Sequence, residues 1–136
     1  MRANVAWEGQ LTFLGSAESG SSVPLDAGTS AGSFRPLELM LVSLAGCTAM
    51  DVVSILQKKG QQVTAFEVKA KAKQAEEHPH VFTEIRLEYL ITGHGIKAEA
   101  VERAIELSRS RYCPAQAMLG KAVAIELTYR ILESAS

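Results

Sequence analysis

At 136 residues the chain is the size of one domain and can bury a core without disulfide staples. Hydrophobic residues make up 47%, charged residues 21%, and the formal net charge is −1, so nothing supports a nucleic-acid binder. Two cysteines are too few for a secreted disulfide scaffold.

The N-terminal third reads as strands and turns. Val5 and Trp7, then Leu11 and Phe13, flank Gly9 and predict a short hairpin. Ser16 to Ser22 is a small polar loop, and Val23-Pro24-Leu25 an edge strand, where proline is tolerated. Ala27 to Phe34, rich in glycine, serine and threonine, reads as a second loop. Met1 to Glu8 shows no secretory apolar run, and the expected location is the cytoplasm.

Pro36 opens a helix, as proline does at a first helical position. Apolar residues continue to Leu56, and Lys58-Lys59-Gly60 supplies a cationic last turn and a glycine stop. Leu39 to Leu56, with Asp51 its only charge, reaches the lower edge of a spanning length, roughly 17 residues or more. A carboxylate near mid-membrane costs about 2.5–3.5 kcal/mol. The expectation is no membrane, but a central helix buried on all sides by protein.

Val63 to Ala75 and Val81 to Ile91 alternate apolar and polar residues, predicting two strands with one buried and one wet face. Lysines line the wet face of the first and mostly glutamates that of the second, which suits antiparallel neighbours. Glu76 to His80 connects them. Its His78-Pro79-His80 reads as a solvated loop, not a metal site. Ile96 to Arg111 is an amphipathic helix with Val101, Ala104, Ile105 and Ser108 on one side. A short helix follows from Cys113 to Leu119, and Val123 to Ile131 alternates as a last strand. Residues 1–136 thus read as a single α+β domain.

Cys47 and Cys113 are the candidate chemistry. They are too far apart in sequence for a local CxxC motif, and two readings stay open: unrelated packing thiols, or a pair that meets in space. One helical turn beyond Cys47 lies Asp51, whose charge disfavours a thiolate. Glu38 stands about half a turn out of phase with Cys47 on a straight helix, and is equally well placed to interact with the helix N-terminus. Arg109, Arg111 and a helix start at Pro114 predict a lowered pKa for Cys113, making it at least as reactive as Cys47. No phosphate-binding loop, nucleophile elbow or dinucleotide fingerprint is present, so no cofactor is expected.

Arg35-Pro36-Leu37-Glu38-Leu39, Ala45-Gly46-Cys47-Thr48-Ala49-Met50-Asp51-Val52-Val53 and Tyr112-Cys113-Pro114 together resemble the OsmC/Ohr superfamily. The likeness is greatest to its small OsmC-like bacterial members of the YhfA type, and runs over essentially the whole chain. It implies an OsmC-like α+β fold: an antiparallel sheet packed around a long buried central helix, in an intertwined homodimer. It also implies a thiol-dependent peroxidase that reduces small organic hydroperoxides in oxidative-stress defence and is recharged by a dithiol or lipoyl-type reductant. Carried onto this chain, Cys47 is peroxidatic and Cys113 resolving. Glu38 matches the acidic position that orients an activating arginine. Gln10 to Ser22 holds no arginine, and Arg35 is the nearest alternative. The competing reading is a catalytically weak or inactive dimer that binds a small apolar ligand near Cys47.

Overall fold

The computed structural model describes residues 1–28 and 31–135. The chain divides into two compact units, Met1–Leu41 and Val42–Ser136. In the first, Gly9 and Gln10 adopt positive φ of 110° and 48° and reverse the chain between β1 (Ala3–Trp7) and β2 (Phe13–Ala17). The pair is antiparallel, with Trp7 opposite Phe13. β2 runs on through Ser16 and Ala17, which the sequence suggested were loop. β3 (Ser22–Leu25) completes a three-stranded sheet in the order β1-β2-β3 and puts Pro24 on an edge strand, as expected. Of the loop expected over Ala27–Phe34, positions 29 and 30 lie outside the described residues. At its end Phe34 bonds back to β3, donating to the Pro24 carbonyl at 3.0 Å.

Helix α1 (Pro36–Lys58) crosses the division between the units. Pro36 occupies its first position. The Glu38 carboxylate reaches back to accept the Arg35 N–H at 2.9 Å, half of a capping box. Only Leu44, Thr48, Val52 and Leu56 are buried, one stripe at a spacing of one turn. The burial expected on all sides includes cover from a partner subunit, and a single chain supplies one stripe of it. Within one chain its other faces stay open, and Val42 and Met50 are exposed at 51% and 74%.

The second unit is built on another three-stranded sheet. β4 (Gln62–Gln74) and β5 (Phe82–His94) pair antiparallel, with Val68 opposite Tyr89 and Lys73 opposite Glu84. The expected alternation holds: Ile85, Leu87, Tyr89 and Ile91 are fully buried. On the wet face Lys73 and Arg86 both pair with Glu84, at 3.4 Å each. Gly93 permits a close approach, because a Cβ there would collide with the Gln62 carbonyl of β4.

The chain then crosses over. Helix α2 (Ala98–Leu107) buries Val101, Ala104 and Ile105, passes into a π-helical turn (Ser108–Tyr112) and continues as α3 (Pro114–Leu119). The last strand, β6 (Ile125–Glu133), lies beside β5 and runs parallel to it. The sheet is therefore mixed rather than wholly antiparallel. A parallel neighbour needs a crossover, which the helices supply. Leu44, Val52 and Leu56 of α1 share the core with the β5 side chains. Burial of each contributes about 1.5–3 kcal/mol.

Candidate functional site

Cys113 owes its position to two local rules. The π-helical turn closes with the Cys113 N–H donating to the Ser108 carbonyl at 2.9 Å, one residue further back than an α-helix would reach. Pro114, lacking an N–H, then starts α3 and leaves Cys113 as its N-cap. Its sulfur accepts the Gln116 main-chain N–H at 3.3 Å. Cys113 is 2% exposed, and both cysteines are free thiols.

Cys47 comes from the middle of α1, beside the buried stripe, and is half-buried. The two thiols lie near enough for each to affect the other's charge. Burial, followed by the contact with Cys47, pushes the Cys113 thiol up to about 12. The Gln116 N–H pulls the other way and does not prevail. Cys113 is thus a neutral thiol at physiological pH.

This reverses the expectation that neighbouring arginines acidify Cys113. Arg109 is held by Glu106 one turn back, with contacts of 2.7 to 3.0 Å. The Arg111 guanidinium sits 5.8 Å from the centre of the Tyr112 ring. Both arginines are exposed and engaged elsewhere. Desolvation of the sulfur outweighs a helix start of a single short helix.

A chain of hydroxyls runs alongside the thiols. Ser108 Oγ donates to the Asp51 carboxylate at 2.9 Å. That commits its one proton, so Thr48 donates to Ser108 at 2.7 Å and Tyr89 donates to Thr48 at 2.8 Å. Three elements meet here: α1 through Thr48 and Asp51, β5 through Tyr89, and the π-helical turn through Ser108. Burial raises the Tyr89 pKa, and the phenol stays neutral. Asp51, expected only as a neighbour of Cys47, is the acceptor that sets the direction of the whole chain.

Arg35 and Glu38 lie in the first unit and bind each other, Nη2 to Oε2 at 3.3 Å. The hydrogen bond from the Arg35 side chain, then that from its main chain, holds the Glu38 carboxyl below its ordinary pKa. His80 bonds through Nδ1 to the Ala75 carbonyl at 2.9 Å, a contact of its own hairpin loop. Among the described residues no three His, Cys, Asp or Glu side chains gather as a metal site.

Thr48, Tyr89, Ser108 and Gln116 were not singled out from the sequence as site residues. A signal existed for three of them. Thr48 falls in register with the apolar stripe of α1, Tyr89 lies on the apolar face of β5, and Ser108 extends the apolar face of α2. A hydroxyl at a core position must find a partner, and three such positions imply a buried network.

Comparison with known proteins agrees with this architecture. The model of the family described as OsmC-like protein matches residues 28–128. Protein YhfA of Escherichia coli (strain K12) is 42% identical over 132 residues, which cover 97% of this chain and 98% of that one. A crystal structure of a hypothetical protein from Aquifex aeolicus VF5 superposes with a TM-score of 0.89 at 27% identity, covering 98% and 97% of the two chains. The organic hydroperoxide resistance protein OhrB of Bacillus subtilis shares the fold, with a TM-score of 0.64 at 13% identity and coverage of 96% and 98%. With its paired thiols and its α+β fold, this chain belongs to the OsmC-like family.

Proposed function

We propose that the protein is a thiol-dependent peroxidase that reduces small organic hydroperoxides through Cys47 and Cys113. The observation that carries this reading is the meeting of two free thiols in unlike settings. Cys47 is half-buried, while Cys113 is buried and held protonated. The shared fold with a protein described as conferring organic hydroperoxide resistance supports it.

In this reading the Cys47 sulfur attacks the outer oxygen of the hydroperoxide. The O–O bond breaks, the alcohol leaves with a proton, and Cys47 becomes a sulfenic acid, oxidised by two electrons. The Cys113 sulfur then attacks Cys47. The S–S bond forms, the S–O bond breaks, and the hydroxyl leaves as water with the Cys113 proton. A dithiol reductant of the lipoyl type exchanges twice with the disulfide, restores both thiols and becomes a cyclic disulfide. Arg35, oriented by Glu38, is the candidate activating cation. The exposed apolar residues Val42, Met50, Tyr112 and Met118 support a homodimer, and the proposal places its action in the cytoplasm.

The test mixes reduced protein with cumene or tert-butyl hydroperoxide and follows thiol loss, with Cys47→Ser and Cys113→Ser in parallel. Rapid loss of both thiols, an intramolecular disulfide and an inert Cys47→Ser variant are expected. Unchanged thiols under excess hydroperoxide would overturn the reading and favour an apolar-ligand dimer instead.

A further inference from the structure

Gln116 stands out beside the thiol pair. It is 4% exposed, and its Nε2 and Oε1 are the buried side-chain polar atoms without a hydrogen-bond partner among the described residues. An unpaired buried amide weakens a fold, and nearly all buried polar groups find a partner. Such a group in a native protein calls for a reason beyond packing.

Its surroundings suggest one. The Gln116 main-chain N–H caps the Cys113 sulfur, and its amide lies beside the Tyr89 hydroxyl. Tyr89 gives its proton to Thr48, so its oxygen can at most accept from one of the two Nε2 hydrogens and cannot donate to Oε1. That leaves the second Nε2 hydrogen and Oε1 without a partner. Cys113 in turn adjoins Cys47. A primary amide offers donors at Nε2 and an acceptor at Oε1. A sulfenic acid, S–O–H, offers the reciprocal pair: an oxygen that accepts and a hydroxyl that donates.

We propose that Gln116 is a positioning residue of the resolving step: its amide takes the oxygen of the Cys47 sulfenic acid and holds it for attack by Cys113. Nε2 donates to the sulfenic oxygen and Oε1 accepts from its hydroxyl. The S–O bond is thereby oriented while the Cys113 sulfur reaches the Cys47 sulfur. The S–S bond forms, the S–O bond breaks, and water departs carrying the Cys113 proton. The amide itself gains and loses no proton. This inference rests on the peroxidase reading above, which supplies the oxidant.

The experiment separates oxidation from resolution in the wild type and in Gln116→Met, with Gln116→Leu as a second apolar variant. Sulfenic acid is trapped with dimedone and the disulfide is followed in time. Each protein is oxidised once with cumene hydroperoxide and once with excess hydrogen peroxide. The expected result is a thermal midpoint equal to or above the wild type, because an unpaired amide has been removed. Cys47 should oxidise at an unchanged rate, while disulfide formation slows about tenfold, the worth of roughly one hydrogen bond, and the dimedone adduct rises to match. Disulfide formation at the wild-type rate, or a parallel fall in both rates, would overturn the proposal. So would failure of both variants to fold, which would make the amide a structural group. Oxidation by hydrogen peroxide but not by cumene hydroperoxide removes the organic-hydroperoxide reading, and the Gln116 comparison still decides. Absence of both sulfenic acid and disulfide with either oxidant overturns both.

Discussion

Tyr89 on β5 and Thr48 on α1 join hydroxyl to hydroxyl at 2.8 Å, and neither residue has any solvent exposure. This bond ties the helix that carries Cys47 to the sheet. It is directional, because Asp51 draws the donors of Ser108, Thr48 and Tyr89 one after another.

Thr48→Val keeps the shape and removes the link. The Tyr89 hydroxyl loses its acceptor and Ser108 loses a donor, so unfolding free energy should fall by about 1–3 kcal/mol. Tyr89→Phe leaves Thr48 still bonded to Ser108 and should cost less. The double variant should lose less than the sum of the two, by about 0.5 kcal/mol or more. Denaturant titration of the four proteins measures this. Strict additivity would mean that the two hydroxyls do not depend on each other.

Cys113 gives a signature at high pH. Its pKa is raised to about 12 in the folded protein, mainly by burial, against about 8.5 for an exposed thiol. The folded state therefore binds more protons than the unfolded state between those values. The stabilisation is complete below about pH 8.5 and is lost progressively as pH rises through that window. Replacing Cys113 by alanine should flatten the decline in thermal midpoint on the alkaline side. In native protein near pH 8, iodoacetamide should label Cys47 well before Cys113, and denaturant should equalise them. Equal labelling without denaturant would contradict the burial of Cys113.

Glu38 acts on the other side of neutrality. Its carboxyl is held low by Arg35, so the capping contact is present above the ordinary carboxylate range and lost as pH falls through the lowered value. Glu38→Gln should make the acid-side loss of helix signal at the start of α1 smaller, as read by amide exchange of the first turn. An unchanged acid profile would show that the contact does not order the helix start.

Gly93→Ala tests the closest approach within the sheet. The added Cβ would strike the Gln62 carbonyl and the Ile96 side chain, so the end of the β4–β5 ladder must shift. A loss of about 1–3 kcal/mol is expected, as for overpacking elsewhere. Gly46 offers the contrast, since a Cβ there meets nothing within 4 Å in the chain. Gly46→Ala should stabilise α1 by up to about 1 kcal/mol if that face is wet. A loss instead would indicate that a second copy approaches the helix there.

Much of this arrangement is legible in the residues. Alternation located β4 and β5 and their buried side chains, and the pattern Val101, Ala104, Ile105, Ser108 located the inner face of α2. Pro36 and Pro114 marked both helix starts. Alternation carries no direction, however, and so could not tell that β6 lies parallel to β5. The single extra residue of a π-helical turn leaves no mark in an amphipathic pattern, yet it sets where Cys113 emerges. Charge proximity in sequence also misled: Arg109 and Arg111 adjoin Cys113 along the chain but spend their charge on Glu106 and the Tyr112 ring.

The parallel pairing of β5 and β6 has a consequence for where the chain tolerates alteration. β4 and β5 are antiparallel neighbours joined by a short hairpin segment, which can be trimmed or replaced without altering strand order. β5 and β6 cannot be joined that way, because parallel strands demand a return path along the sheet. Cys113 rides on that obligatory return, between α2 and α3. The topology thus builds the route for this thiol into the minimum length of the chain. Deletions there break strand pairing before they reach chemistry, whereas the hairpin at residues 76–80 is the place to open the chain or graft a tag.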